Sequence, residues 1–187
     1  MKILLISSNT AVSPYPVYPI GLSVVSGALK AAGHDVSQFD FMKENNSLDS
    51  IAREVKEYGP GLIGISIRNI DNANSMNEQY YIDTVKEIVR TIRTVSDSRI
   101  VLGGAGFSLI PGSILQTTGA DYGIVGEGEV LMVEFANNAA RGIYPGEALI
   151  GPGARLSGSR IMSPYYDDKL MRYYLQSGNI ASVQTKR

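Results

Sequence analysis

Short apolar runs alternate with stretches of helical period from the first residue to about residue 140, and this alternation constrains the fold more than any other feature. Ile3–Ser7, Asp35–Phe41, Leu62–Ile67, Ile100–Leu102 and Tyr122–Val125 read as buried strands. Between them, Leu22, Val25 and Leu29 mark a helix over Ile20–Ala32 that Gly33 stops. Ser47 is a candidate N-cap for a second helix, with Leu48, Ile51, Ala52 and Val55 as its apolar stripe. Ile82, Val85, Val89 and Ile92 mark a third, Pro111–Thr118 a short fourth and Glu129–Ala140 a fifth. Five βα units joined by right-handed crossovers predict a doubly wound, five-stranded parallel sheet of α/β class. The expected order is the flavodoxin-like (Rossmann-like) 2-1-3-4-5, whose switch point lies between strands one and three. Loops Asn9–Pro19 and Arg68–Asn77 then flank a ligand crevice, beside the turns at Gly103-Gly104 and Gly126-Glu127-Gly128. Residues 141–187 are rich in Gly, Pro and Tyr without a strong period, which predicts a linker with a short hairpin.

Charge and cysteine usage narrow the function classes. A formal net charge of -1 argues against a nucleic-acid or anionic-membrane partner. With no cysteine, the chain has no disulfide, thiol nucleophile or thiolate metal site, and a cytoplasmic address is the default. No apolar run approaches the ~18 residues of a membrane span, and Met1–Ile6 reads as the first strand rather than a signal peptide.

Common occupants of such a crevice can be tested against its loops. A phosphate-cradling P-loop and a dinucleotide fingerprint both need glycines after strand one, and none precedes Gly21 there. A phosphoacceptor domain needs an acidic cluster after strand one, where Ser7, Ser8, Asn9 and Thr10 stand instead. Those four residues suit a phosphate of FMN, which stays open on the residues alone. Asp40, ending strand two, reads as a capping or turn residue rather than a ribose ligand.

The succession Tyr18-Pro19-Ile20-Gly21-Leu22, Gly33-His34-Asp35-Val36, Gly64-Ile65-Ser66, Gly103-Gly104 and Asp121-Tyr122-Gly123-Ile124-Val125-Gly126-Glu127-Gly128-Glu129 carries a family resemblance over most of residues 1–135. It resembles the N-terminal cobalamin (B12)-binding domain of B12-dependent radical S-adenosylmethionine enzymes. Ser182-Val183-Gln184-Thr185-Lys186-Arg187 is similar to the strand that, in that family, precedes the three cysteines holding a [4Fe–4S] cluster. The resemblance implies a cobalamin-binding domain over residues 1–140, then a linker and the start of a radical S-adenosylmethionine domain over 141–187. It implies truncation before the cluster cysteines. S-adenosylmethionine and the cluster would belong to the missing C-terminal domain, which is the expected partner. The parent would be a methyltransferase or related iron–sulfur oxidoreductase, and this fragment would not be catalytic alone.

The resemblance and the predicted crevice together assign Asn9, Tyr18, Pro19, Ser66, Arg68, Asn69, Gly103, Gly104, Ala105, Gly126, Glu127 and Gly128 to cofactor binding. The small residues would let the cofactor's nucleotide tail approach the backbone, so enlarging Gly104 is expected to abolish corrinoid binding. Ser66 would bond the base or its ribose, and Tyr15 and Tyr18 would pack beneath the corrin. The wider fold's axial histidine, carried by Asp-x-His-x-x-Gly in the first loop, is absent. His34, the one histidine, falls at the opposite sheet edge, so the corrinoid is expected base-off with no histidine ligand. Arg68 or Asn69 would face the cobalt or hold a water there. Glu127 and Glu129 read as helix-capping residues, and Asn69, Asp71, Asn72, Asn74 and Asn77 as a solvated loop. Tyr165, Tyr166, Tyr173 and Tyr174 are expected to pack against the missing domain. Two other readings remain: a stand-alone flavodoxin-like FMN electron carrier dependent on Ser7–Thr10, and a non-catalytic interaction scaffold.

Overall fold

The computed structural model describes residues 1–13, 15–71, 80–151 and 162–178. Strands β1 (Lys2–Ser7), β2 (Asp35–Asp40), β3 (Leu62–Ser66), β4 (Arg99–Gly103), β5 (Tyr122–Ile124) and β6 (Leu149–Ile150) form one parallel sheet in the order β2-β1-β3-β4-β5-β6. Helices α1 (Ile20–Ala31), α2 (Leu48–Tyr58), α3 (Ile82–Arg93), α4 (Pro111–Thr118), α5 (Gly128–Ala139) and α6 (Asp168–Gly178) complete the described elements. The expected order of the first five strands holds. The five-strand count does not, because Leu149–Ile150 adds a parallel sixth strand in place of the expected hairpin. Gly123 N–H donates to Ala148 O at 2.9 Å and Val125 N–H to Ile150 O at 3.1 Å. Two residues are too short to show a period in sequence.

Alternation along the strands feeds two cores. Leu4, Ile6, Ile63, Ile65, Ile100 and Leu102 pack with α2 and α3 through Ile51, Val55, Val85 and Ile92. Ile3, Leu5, Leu62, Val101 and Ile124 pack with α1 and α5 through Leu22, Leu29, Met132 and Phe135. Helix α2 starts as its sequence predicts, with Ser47 Oγ accepting from Ser50 N–H at 3.2 Å. Ser47→Ala should therefore lower stability by about 1 kcal/mol, read as a shift in urea midpoint at unchanged slope.

Helix α6 was not legible in the sequence, and it packs on this domain. Leu170 and Tyr174 are buried with Tyr18, and Tyr166, Met171 and Tyr173 pack around them. The preceding residues run along the outer side of α1. Tyr165 N–H donates to Ser23 O at 2.8 Å, and Gln38 Nε2 donates to Tyr165 O at 3.0 Å. Ser163 O lies so close to Gly27 that a Cβ there would overlap it. No helix among the described residues is long and apolar enough to cross a membrane.

Candidate functional site

The register of the central strands builds a cavity by subtracting side chains. Ser7, Ser66 and Gly103 are register partners across β1, β3 and β4 at the C-terminal edge of the sheet. Two residues deeper on the same face, Leu5, Gly64 and Val101 form the next row, roughly 7 Å further in at ~3.3 Å per residue. Glycine or serine in four of these six places leaves room between the sheet and the helices that cover it. A cavity of about 650 Å³ fills that room, within the range of small-molecule sites. Helix α1 lines it with Gly21, Leu22 and Val25, and α5 with Gly128, Glu129 and Met132. The result is a polar collar above an apolar floor.

Of the residues assigned from sequence, all but Asn69 line this cavity. Asn9 follows β1 and is buried; its Oδ1 accepts from Ala11 N–H at 3.3 Å, and its buried Nδ2 has no partner. Ser66 O accepts from both Ser8 N–H at 3.3 Å and Ser8 Oγ at 3.0 Å, which ties the first loop to β3. Arg68 stands exposed at the rim. Gly104 has φ +103, and a Cβ there would lie 2.5 Å from Ile67 O. Its glycine is therefore demanded by the fold itself, because the loop after β4 crosses the backbone of Ile67. Gly103, whose Cβ would meet only Ile124 O at 3.8 Å, leaves open space. Asn69 instead lies against Gly106, where a Cβ would fall 3.1 Å from its carbonyl carbon.

Tyr18 lines the cavity while being 1% exposed. It exchanges a 2.7 Å hydrogen bond with Ser23 Oγ and sits 5.6 Å from the ring of Tyr166 and 5.5 Å from that of Tyr174. Burial pushes its hydroxyl pKa up. The tail tyrosines thus depart from expectation: Tyr174 and Tyr166 pack on Tyr18, and Tyr165 lies under Lys30 at 4.3 Å from Nζ to ring centroid. The cause is a contact between residues far apart in sequence, which no local pattern carries. Tyr15 is 42% exposed and is not part of the cavity lining.

Asp40 is the buried last residue of β2, and its carboxylate caps the turn that follows. It accepts from Lys43 N–H at 2.9 Å and from Tyr174 O–H at 3.0 Å. Burial pushes its pKa up, and the donors Lys43 N–H, Ser7 and Tyr174 only partly offset that. A carboxylate raised in this way gives stability below its ordinary value of 3.8, and that stability is lost as pH climbs through the raised value. Tyr174→Phe withdraws a donor from the ionised form, so it should cost about 1–3 kcal/mol at pH 7 and less at pH 4. Urea unfolding at the two pH values reads the difference.

Sequence reasoning missed the floor. Gly64 had a signal, since an isolated glycine inside a strand marks a close approach, whereas Leu5, Val101 and Met132 read as ordinary core. Ser108 was also missed: its Oγ donates to Gly104 O at 3.0 Å and accepts from Gly126 N–H at 3.0 Å, joining two rim loops. His34 sits at the far end of the strands, 3.4 Å from the N-terminal amine through Nδ1, as its structural reading requires. Asn72, Asn74, Asn77 and the segment Ser182–Arg187 lie outside the described residues.

A parallel sheet whose C-terminal edge opens into a polar-collared, apolar-floored cavity defines an α/β domain of the ligand-binding class. The chain belongs to the B12-binding domain family, whose model matches residues 6–136. It is similar to tryptophan 2-C-methyltransferase of Streptomyces laurentii, at 28% identity over 131 residues, covering 68% of this chain and 21% of that protein. It is also similar to cytidylyl-2-hydroxyethylphosphonate methyltransferase of Streptomyces wedmorensis, at 24% identity, covering 69% of this chain and 27% of that protein. Among solved structures it matches the radical S-adenosylmethionine methyltransferase TsrM from Kitasatospora setae with cobalamin and a [4Fe–4S] cluster bound. That match has TM-score 0.72 and 28% identity, covering 76% of this chain and 25% of TsrM. The cobalamin-dependent S-adenosylmethionine radical enzyme OxsB shares the fold, with TM-score 0.60 at 16% identity over 79% of this chain and 20% of OxsB. The chain spans about a quarter of the length of these relatives or less.

Proposed function

We propose that this domain holds cobalamin base-off, with the nucleotide tail in the cavity and the corrin over the sheet edge, as part of a radical S-adenosylmethionine methyltransferase. The observation that carries the reading is the cavity opened by Gly64 and Gly103. The residues fit the group: an apolar floor suits a flat aromatic base, and Ser7, Asn9 and Ser66 in the collar suit a ribose and phosphate. Asn9, a lining residue, also carries a buried donor, Nδ2, that has no partner within the protein. Gly104, Ala105, Gly126, Glu127 and Gly128 form the neighbouring wall, and Tyr18 and Pro19 the wall below the first loop. Arg68 is the cation at the rim, placed to face the cobalt or hold a water there. Bound cobalamin supplies a cobalt centre able to carry a methyl group; the chain's own part is to hold the tail and exclude water from it.

Membership of the B12-binding domain family, over residues 6–136, supports cobalamin over FMN. S-adenosylmethionine, the [4Fe–4S] cluster and a C-terminal partner domain belong to the same proposal, as do a cytoplasmic setting and a domain limit near residue 140. The first three rest on the likeness to TsrM and the two methyltransferases.

The test is titration of the 187-residue chain with hydroxocobalamin, followed by visible spectroscopy after desalting. The expected result is stoichiometric retention with a base-off spectrum that His34→Ala leaves unchanged. A base-on spectrum, or loss of the base-off signature in His34→Ala, would overturn the axial assignment. No retention at all would overturn the cofactor reading.

A further inference from the structure

The register that builds the cavity also sorts its chemistry by depth. Hydrogen-bonding side chains stand at the mouth: Ser7 and Ser66 in the outer row, Asn9 beyond β1, and Glu129 in the first turn of α5. The floor row, Leu5, Gly64 and Val101, offers no polar side chain. Helix α5 runs inward from the mouth, so Met132 lies about one turn deeper than Glu129, at ~1.5 Å per residue. The backbone groups of the floor row are occupied by the parallel ladder. An inserted base therefore meets hydroxyls and an amide at its sugar end and hydrocarbon at its distal edge.

Resting on the cobalamin reading, we propose that this floor selects the base of the corrinoid: a benzimidazole-type base with an apolar distal edge is accepted, and a purine is rejected. The distal edge of 5,6-dimethylbenzimidazole carries two methyl groups, which the floor covers with Leu5, Val101 and Met132. The corresponding edge of adenine carries ring nitrogens and an exocyclic amine. Buried against the same floor, each would lose its water without gaining a partner, and unpaired buried groups are costly. An apolar pocket rejects an analogue that adds a polar group by up to about 100-fold. Gly64 sets the available thickness, since a Cβ there would lie 2.8 Å from Leu5 Cδ2 and 3.4 Å from Met132 Cε.

The experiment is equilibrium dialysis of the full chain against three corrinoids, read by visible absorbance: cobalamin, the analogue bearing adenine as its base, and cobinamide, which has no nucleotide tail. Cobalamin is expected to bind at least ~10-fold tighter than the adenine analogue, from one unpaired buried group, and tighter than cobinamide. Met132→Gln, which adds a donor and an acceptor at the floor, should narrow the first gap by strengthening the adenine analogue. Equal binding of the two nucleotide-bearing forms, both tighter than cobinamide, would overturn base selection and leave the cofactor reading standing. So would a gap that Met132→Gln leaves unchanged, because discrimination would then lie elsewhere. Equal binding of all three would take the tail out of the cavity and overturn the proposal. No binding of any would overturn the cofactor reading on which it rests.

Discussion

Gly64→Val is expected to weaken cobalamin binding by on the order of 100-fold while leaving cobinamide affinity and the fold unchanged. A side chain at position 64 projects into the floor of the cavity, toward Leu5 Cδ2 and Met132 Cε. Both are ends of flexible side chains that can turn aside, and a β-branched residue suits a strand. The backbone has no need to move. The tail, however, loses the volume that the missing side chain gave it. Dialysis against both corrinoids, with far-UV circular dichroism as the fold control, reads the result. Parallel losses for both would mean that position 64 acts on something other than the tail.

Gly104→Ala should act in the opposite sense, through the fold. Its φ of +103 is a conformation that L side chains rarely adopt, and the new Cβ would fall 2.5 Å from Ile67 O and 3.0 Å from Ile67 N. Neither neighbour can retreat, because Ile67 N–H donates to Gly103 O and Ile67 O accepts from Gly106 N–H, at 2.8 and 2.9 Å. A loss on the order of 3 kcal/mol is expected from strain and overlap together, measured by urea unfolding without any ligand. A midpoint equal to that of the unsubstituted chain would show that the loop relaxes freely. Enlarging Gly104 therefore cannot serve as the diagnostic of corrinoid contact that its sequence context invites. Position 64 separates ligand from fold, and position 104 confounds them.

The contrast shows what the sequence could and could not disclose. Strands β1 to β5 and helices α1, α4 and α5 stand within a residue of their expected limits, and α2 starts after its expected cap, because periodicity and caps such as Ser47 are local. The collar was legible for a topological reason: in a doubly wound sheet, segments following strands gather at one edge, which brought Ser66, Gly103 and Gly126 forward. The floor was not, because Leu5 and Val101 look like any buried strand residue until register sets Gly64 between them. Asn69 was misplaced because sequence cannot say which of two adjacent loop residues turns inward. Tyr174 was misread because its partner Asp40 lies 134 residues away.

The crossing of Ser163 over Gly27 changes how the polypeptide beyond the sheet should be understood. Helix α1 has the cofactor cavity on one side, at Gly21, Leu22 and Val25, and the departing chain on the other, at Ser23 and Gly27. The two are separated by one helix, about 10 Å across. Residues 163–165 thus brace the wall of the cavity from outside before α6 packs on Tyr18.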